Sequence, residues 1–405
     1  MLRTALDAAR PAVELADVLR RHGGAYLRLH ADPLGRVERR VVSAITACRT
    51  ATLGGHVETC ESCRGSRVAY NSCRNRHCPK CQGSARARWL AARESELLPV
   101  PYFHVVFTVP QPLAAIAFQN KAAVYAILFK AAAQALTMLA ANPRRLGAEI
   151  GAIAVLHTWG QALTHHPHLH CVVPGGGLSM DATRWVHGKA NFFLAVKPLA
   201  RLFRRLFLER LAAAFAEGGL RFLGGLAGLA DPDRFASHLV ALRRVDWVVY
   251  AKKPFGGPAQ VLAYLGRYTH RVAITNRRLV SCDQDHVAFT WKDYRQKGAT
   301  KLMRLAPHEF IRRFLLHTLP DGFHRIRHIG FLANRHRATK LALCRALLDI
   351  AEPSAAACIE SGSLPDRNDA PACPLCGGIM RITSLVPPSS ADCAGPGATF
   401  RCDTS

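Results

Sequence analysis

Negative charge is scarce in this chain: Asp and Glu number 28 against 54 Lys and Arg, a formal net charge of +26. A diffuse positive excess of that size repels itself unless a polyanion offsets it, so nucleic acid is the expected partner. Long uninterrupted apolar runs are also missing. The Ala-rich stretch 113–141 is broken by Gln119, Lys121 and Lys130, so it reads as a buried helix pair and no membrane partner is expected. The first 30 residues carry Asp7, Glu14 and Asp17 and lack the profile of a secretory signal. These absences point to a soluble protein of a reducing compartment, expected to be cytoplasmic and associated with the nucleoid. No internal repeat is present.

A length of 405 residues with 49% hydrophobic content is enough for two or three domains with a sizeable core. Apolar spacing predicts helices over much of 1–50, followed by a compact Cys/His segment over 56–81 and a short helix over 84–98. Strands are expected at 102–109, 153–157, 168–173 and 247–250, with helices over 112–141 and 198–217 between them. Gly256-Gly257-Pro258 opens a further helix, since Pro suits the first turn. The stretches 271–280, 286–291 and 300–305 read as an antiparallel meander. Basic residues among apolar ones in 323–331 suggest a DNA-side helix or loop. The domain boundaries expected are 1–98, helical and cysteine-rich; 99–350, the main domain; and 351–405, a linker and loose tail.

In a reducing setting the 14 cysteines suggest metal ligation. Cys60-x2-Cys63 and Cys78-x2-Cys81 are two knuckles that can turn four thiolates toward one closed tetrahedral, structural zinc site. His56, Cys73 and His77 lie in the same segment and stand as further ligand candidates. Nearby arginines, among them Arg64, Arg67, Arg74 and Arg76, make this loop a plausible DNA-docking surface. Cys373-x2-Cys376 resembles half of a zinc ribbon that Cys393 and Cys402 would complete. Cys48, Cys171, Cys282, Cys344 and Cys358 read as packed thiols.

The most chemically pointed stretch is His166-Pro167-His168-Leu169-His170. On a strand, His168 and His170 project from one face because side chains alternate. Such a pair can hold Mg²⁺ or Mn²⁺ against a phosphate, provided a third ligand completes the shell. His157 on the preceding strand is the first candidate, with Gln161 and His166 behind it. About a hundred residues on, Tyr264 and Tyr268 share one helix face, with Arg267 and Arg271 beside them to hold phosphates. A cation clamp and a presented phenol are the parts needed to cut one DNA strand and hold its end covalently. His104 faces either core or metal on this reading.

Several blocks together resemble a known family: Asn71-Ser-Cys-Arg-Asn-Arg-His-Cys-Pro-Lys-Cys81, Phe103-His104-Val105-Val106-Phe107-Thr108, His157-Thr158-Trp159-Gly160, 166–174, and Tyr264-Leu-Gly-Arg-Tyr-Thr-His-Arg271. They are similar to the rolling-circle insertion-sequence transposases of the HUH endonuclease group that carry an N-terminal zinc-binding domain, the two-tyrosine family. The resemblance spans about 20–345. It implies an α+β fold: a ferredoxin-like HUH nuclease core with a central antiparallel sheet and a tyrosine helix beside it. It further implies cleavage of single-stranded DNA at element ends and target site, through 5′-phosphotyrosine intermediates on Tyr264 and Tyr268. A zinc-stapled DNA-binding regulator without nuclease activity, or a zinc hydrolase, are the competing readings. The insertion at 178–245 reads as helical and basic, as either a DNA-contacting flank or a packed amphipathic helix.

Overall fold

The computed structural model describes residues 13–32, 34–189, 191, 193–255, 260, 261, 263, 264, 266, 272–350 and 371–389. It is a mixed helix and sheet protein of the α+β class, with every strand pair among the described residues antiparallel. Two compact units are present. The first joins residues 1–85, 270–318 and 355–405; the second joins 86–269 and 319–354.

The second unit is built on a five-stranded sheet in the order Ile326–Gly330, Gly151–Trp159, His165–Pro174, Tyr102–Thr108, Val249–Phe255. Alternation along these strands gives the sheet two different faces. Phe103, Val105, Phe107, Ala152, Ala154, Leu156, Leu169, Cys171 and Val173 point to one side, into the larger core. Helices Lys121–Ala141 and Val196–Ala216 cover that side, burying Tyr125, Leu128, Phe203 and Phe207. Each large side chain so buried contributes roughly 1.5–3 kcal/mol. Lys121–Ala141 is long and apolar enough to cross a membrane by composition, but its Val124, Leu128, Ala132 and Leu136 are fully buried in this core. The helix Val196–Ala216 inside the 178–245 insertion packs the same way, so its apolar stripe is a core face. The opposite sheet face carries Tyr102, Ile153, Val155 and Val172, packed with Val261, Tyr264 and Leu341.

One sequence expectation changes here. Ile326–Gly330, within the basic stretch read as a DNA-side helix or loop, is the edge strand of this sheet and pairs with Gly151–Val155. Its Ile326-Arg327-His328-Ile329 pattern has too few apolar residues to announce a strand, and the pairing supplies what propensity does not.

Two imidazoles of this unit give it an acid limit. His165 lies against the Tyr125 hydroxyl at 2.8 Å, and burial, with Lys121 next, pushes its pKa down to about 4. Burial likewise holds His328 down to about 4, helped by Arg337 and Arg93. Unfolded, both titrate near 6.5. Between those values the unfolded chain binds more protons, so stability is complete above about 6.5 and falls as pH drops toward 4. The thermal midpoint is expected to be lower at pH 5 than at pH 7.5, and His165→Gln to shrink that difference. An unchanged midpoint across this window would contradict the assignment.

The first unit begins with the helix Leu15–Leu29, whose start is set by reciprocal bonds between Glu14 and Asp17. It packs against Arg36–Ala47 through Val41, Val42 and Ile45. A meander of Leu279–Cys282, Val287–Asp293 and Ala299–Leu305 leads to the helix Pro307–Leu315. A separate three-stranded sheet has Gly55–Cys60 in the middle, Ser66–Tyr70 on one side and Met380–Val386 on the other. The segment expected to be loose tail thus supplies a strand. Gly54 and Gly55 allow it: a Cβ at Gly54 would lie 2.6 Å from the Val386 carbonyl, and one at Gly55 would lie 2.4 Å from that of Ala69.

Candidate functional site

Register builds the site. His157 lies opposite His168 in the ladder between Gly151–Trp159 and His165–Pro174, and His170 follows two residues on along the same face. The neighbouring strand puts His104 opposite Val172, so its imidazole joins that face as well. Candidate ligand atoms of His157, His168 and His170 all fall within 4.8 Å of one another. Trp159 stacks on the His157 ring at 4.6 Å between centroids, and His104 stacks on His170 at 5.1 Å.

Hydrogen bonds orient these rings. His168 Nδ1 donates to the His166 carbonyl at 2.7 Å; a carbonyl can only accept, so the lone pair of His168 sits on Nε2. His166 supplies the backbone oxygen of this bond; its ring lies 5.4 Å from that of His168 and is not among the three clustered ligand groups. The hydroxyl of Tyr264, a residue 6% exposed on helical backbone, points at the same cluster. It lies 2.6 Å from His104 Nε2 and 3.2 Å from His170 Nδ1. His104 is the member that sequence reasoning left undecided. Burial first, then the charges of Lys252 and His168, hold its pKa down to about 4. On that value it is neutral near pH 7, and its Nε2 is also 2.9 Å from His170 Nδ1. Only the register of the strand Tyr102–Thr108 reveals this, since a core histidine has the same local sequence. Tyr268, Arg267 and Arg271 lie outside the described residues.

Three clustered imidazoles, one with its second nitrogen committed to a carbonyl, fit a divalent cation. The nitrogen donors favour Mn²⁺ over Mg²⁺ unless water or substrate oxygens complete the shell.

The cysteines group differently from the sequence expectation. Cys78 and Cys81 do not share a site with Cys60 and Cys63. They meet Cys48 and Cys73 instead, with Cys73–Cys81, Cys48–Cys81 and Cys48–Cys78 sulfur separations of 3.6, 3.7 and 3.8 Å. A tetrahedron of thiolates about 2.3 Å from zinc has edges of about 3.8 Å, so the donor set and spacing both fit Zn²⁺. Cys48, read as a packed thiol, is a member of this tetrad because the helix Arg36–Ala47 ends on it. Cys60 and Cys63 sit in a second cluster with Cys373 and Cys376. His56 bonds to Glu58 at 3.2 Å. His77 belongs to neither tetrad.

Residues 18–109 match the family described as "Transposase zinc-binding domain", and residues 151–340 match the family described as "Putative transposase". A protein of Sinorhizobium fredii named "Putative transposase y4qJ" is 58% identical over 346 residues, covering 85% of this chain and 87% of that relative. The chain belongs to the zinc-binding insertion-sequence transposases. A second relative of this transposase, from Pseudomonas savastanoi pv. phaseolicola, is named "Transposase for insertion sequence element IS801". It is 28% identical over 377 residues, 86% of the chain and 84% of the relative. No solved structure matches the transposase. As a transposase it is a DNA-cleaving enzyme, and the thiolate tetrad of Cys48, Cys73, Cys78 and Cys81 lies within the zinc-binding match.

Proposed function

We propose that this transposase nicks single-stranded DNA at the ends of its element and at the target site. It would hold the cut 5′ end on Tyr264 and move the element by a rolling-circle route. The five-stranded antiparallel sheet with histidines on one face supports a ferredoxin-like HUH nuclease core. The observation that carries the reading is the Tyr264 hydroxyl, within 2.6 Å of His104 Nε2 and beside the His157, His168 and His170 cluster. His157, His168 and His170 would hold Mg²⁺ or Mn²⁺, which would supply Lewis-acid polarisation of the scissile phosphate.

The chain's own groups account for the rest. A phenol titrates near 10 and is a weak nucleophile while protonated. His104 Nε2 takes the proton as the Tyr264 oxygen bonds to phosphorus. The P–O3′ bond breaks, and the leaving oxygen takes a proton from solvent water to become a 3′-hydroxyl. The aryl phosphodiester keeps the bond energy, so a 3′-hydroxyl can later displace Tyr264 without ATP. Tyr268 would serve a second strand in the same way, with Arg267 and Arg271 holding phosphates. A net charge of +26 supports a polyanionic partner, and the relative's role in an insertion sequence element supports the kind of DNA end involved.

The test is a covalent protein–oligonucleotide adduct on single-stranded terminal DNA with Mg²⁺ or Mn²⁺. Replacing His168 and His170 by Ala is expected to lower adduct formation on the order of 100-fold or more, since metal polarisation is worth several kcal/mol. Salt-sensitive DNA binding should stay near the wild-type level. Equal adduct yield from the double variant would sink the reading.

A further inference from the structure

The matched zinc-binding family ends at residue 109, yet two further thiols reach its knuckle from more than three hundred residues away. Cys60 Sγ lies 3.5 Å from Cys376 Sγ, and Cys63 Sγ lies 3.6 Å from Cys373 Sγ. These distances are far longer than a disulfide of about 2.05 Å. They are close to the edge of a zinc tetrathiolate, about 3.8 Å.

The two knuckles are conformational copies of each other. In the first, Cys60 N–H donates to the Gly65 carbonyl at 2.9 Å, and Arg64 N–H to the Cys60 carbonyl at 3.1 Å. In the second, Cys373 N–H donates to Gly378 at 2.7 Å, and Gly377 N–H to Cys373 at 2.8 Å. Each second cysteine is followed by a left-handed residue, Arg64 at φ 58° and Gly377 at φ 76°. Then comes a glycine at the seam. A Cβ on Gly65 would lie 3.1 Å from Leu375, and one on Gly378 would lie 2.5 Å from Ser62 Oγ. In both knuckles backbone N–H groups aim at the first sulfur, the Cys63 N–H reaching Cys60 Sγ at 3.5 Å. Such N–H groups stabilise a thiolate ahead of a thiol. The first cysteine of each knuckle, Cys60 and Cys373, is buried together with Met380 in a small cluster. The strands that leave the knuckles pair, Cys60 opposite Met380 and Gly55 opposite Val386.

We propose that Cys60, Cys63, Cys373 and Cys376 hold a second zinc ion, completing a ribbon split between two segments more than three hundred residues apart and clasping 371–389 onto the strands Gly55–Cys60 and Ser66–Tyr70. Soft thiolates in a closed tetrad select zinc over Mg²⁺ or Mn²⁺. The ligand set is complete without Cys393 and Cys402, which lie outside the described residues.

Metal content of the purified full-length protein tests this. Two zinc ions per chain are expected in the wild type and in Cys393→Ser/Cys402→Ser, and one in Cys373→Ser/Cys376→Ser. One ion in the wild type, or two in the Cys373/Cys376 variant, would overturn the clasp. Should that variant fail to fold, cobalt substitution of the wild type decides. Two tetrads of four cysteines predict a thiolate-to-cobalt charge-transfer intensity of eight bonds per chain, and an intensity of four would refute the second site.

Discussion

Tyr264→Phe is expected to lower formation of the covalent DNA adduct at least about 1,000-fold, the scale seen when a nucleophile is removed. The substitution deletes one oxygen and keeps the ring, which packs among Val261, Ile153, Val155 and Leu341. The fold should therefore survive. The cost is the hydrogen bond to His104 Nε2, about 1–2 kcal/mol. DNA binding, which rests on positive charge spread over the chain, should change little. A mutant that forms adduct like the wild type would remove Tyr264 from the chemistry and turn attention to Tyr268. The experiment separates nucleophile from scaffold because a native gel reads binding and a denaturing gel reads covalent capture.

The second large effect concerns the tetrad of Cys48, Cys73, Cys78 and Cys81. Replacing Cys78 and Cys81 by Ser is expected to eliminate this zinc ion and unfold the surrounding segment. Structural zinc supplies about 10–16 kcal/mol in small sites, which equals or exceeds the usual stability of a whole domain, about 5–15 kcal/mol. Little else can compensate here. The loop between Tyr70 and Cys81 has no regular secondary structure, and its Arg74 holds a left-handed φ of 50°. Zinc content and circular dichroism of the variant check this. A variant that keeps both its metal and its cooperative transition would rule out the structural role. Strong chelation of the wild type should reproduce the loss more slowly.

The histidine strand was readable because period-two alternation is local information. His168 and His170 share a face by geometry alone, and the strand through His157 needed only to be its neighbour. His104 could not be sorted, since Phe103-His104-Val105-Val106-Phe107 fits a core strand and a cluster strand equally; the pairing of His104 with Val172 decides it. The C-x-x-C cysteines were readable as candidate ligands but not as sets, and Cys48 was not readable as one at all. Knuckles of the form C-x-x-C are interchangeable in sequence, and nothing local marks Cys60 as a partner of Cys376, 316 positions away. The strand Met380–Val386 was hidden by the Pro, Ser and Gly around it, and its order comes from the pairing with Gly55–Cys60. Ile326–Gly330 was misread because arginine and histidine dilute an edge strand whose neighbour supplies the apolar contacts.

The sheet that joins Gly55–Cys60 to Met380–Val386 also constrains the order of events at the ribosome. The middle strand waits, one edge bare, until its partner strand, more than three hundred residues further along, has been translated. A closure of such long range is slow in any chain. A product cut short before Met380 would leave that three-stranded sheet unfinished, however intact its histidines and tyrosine.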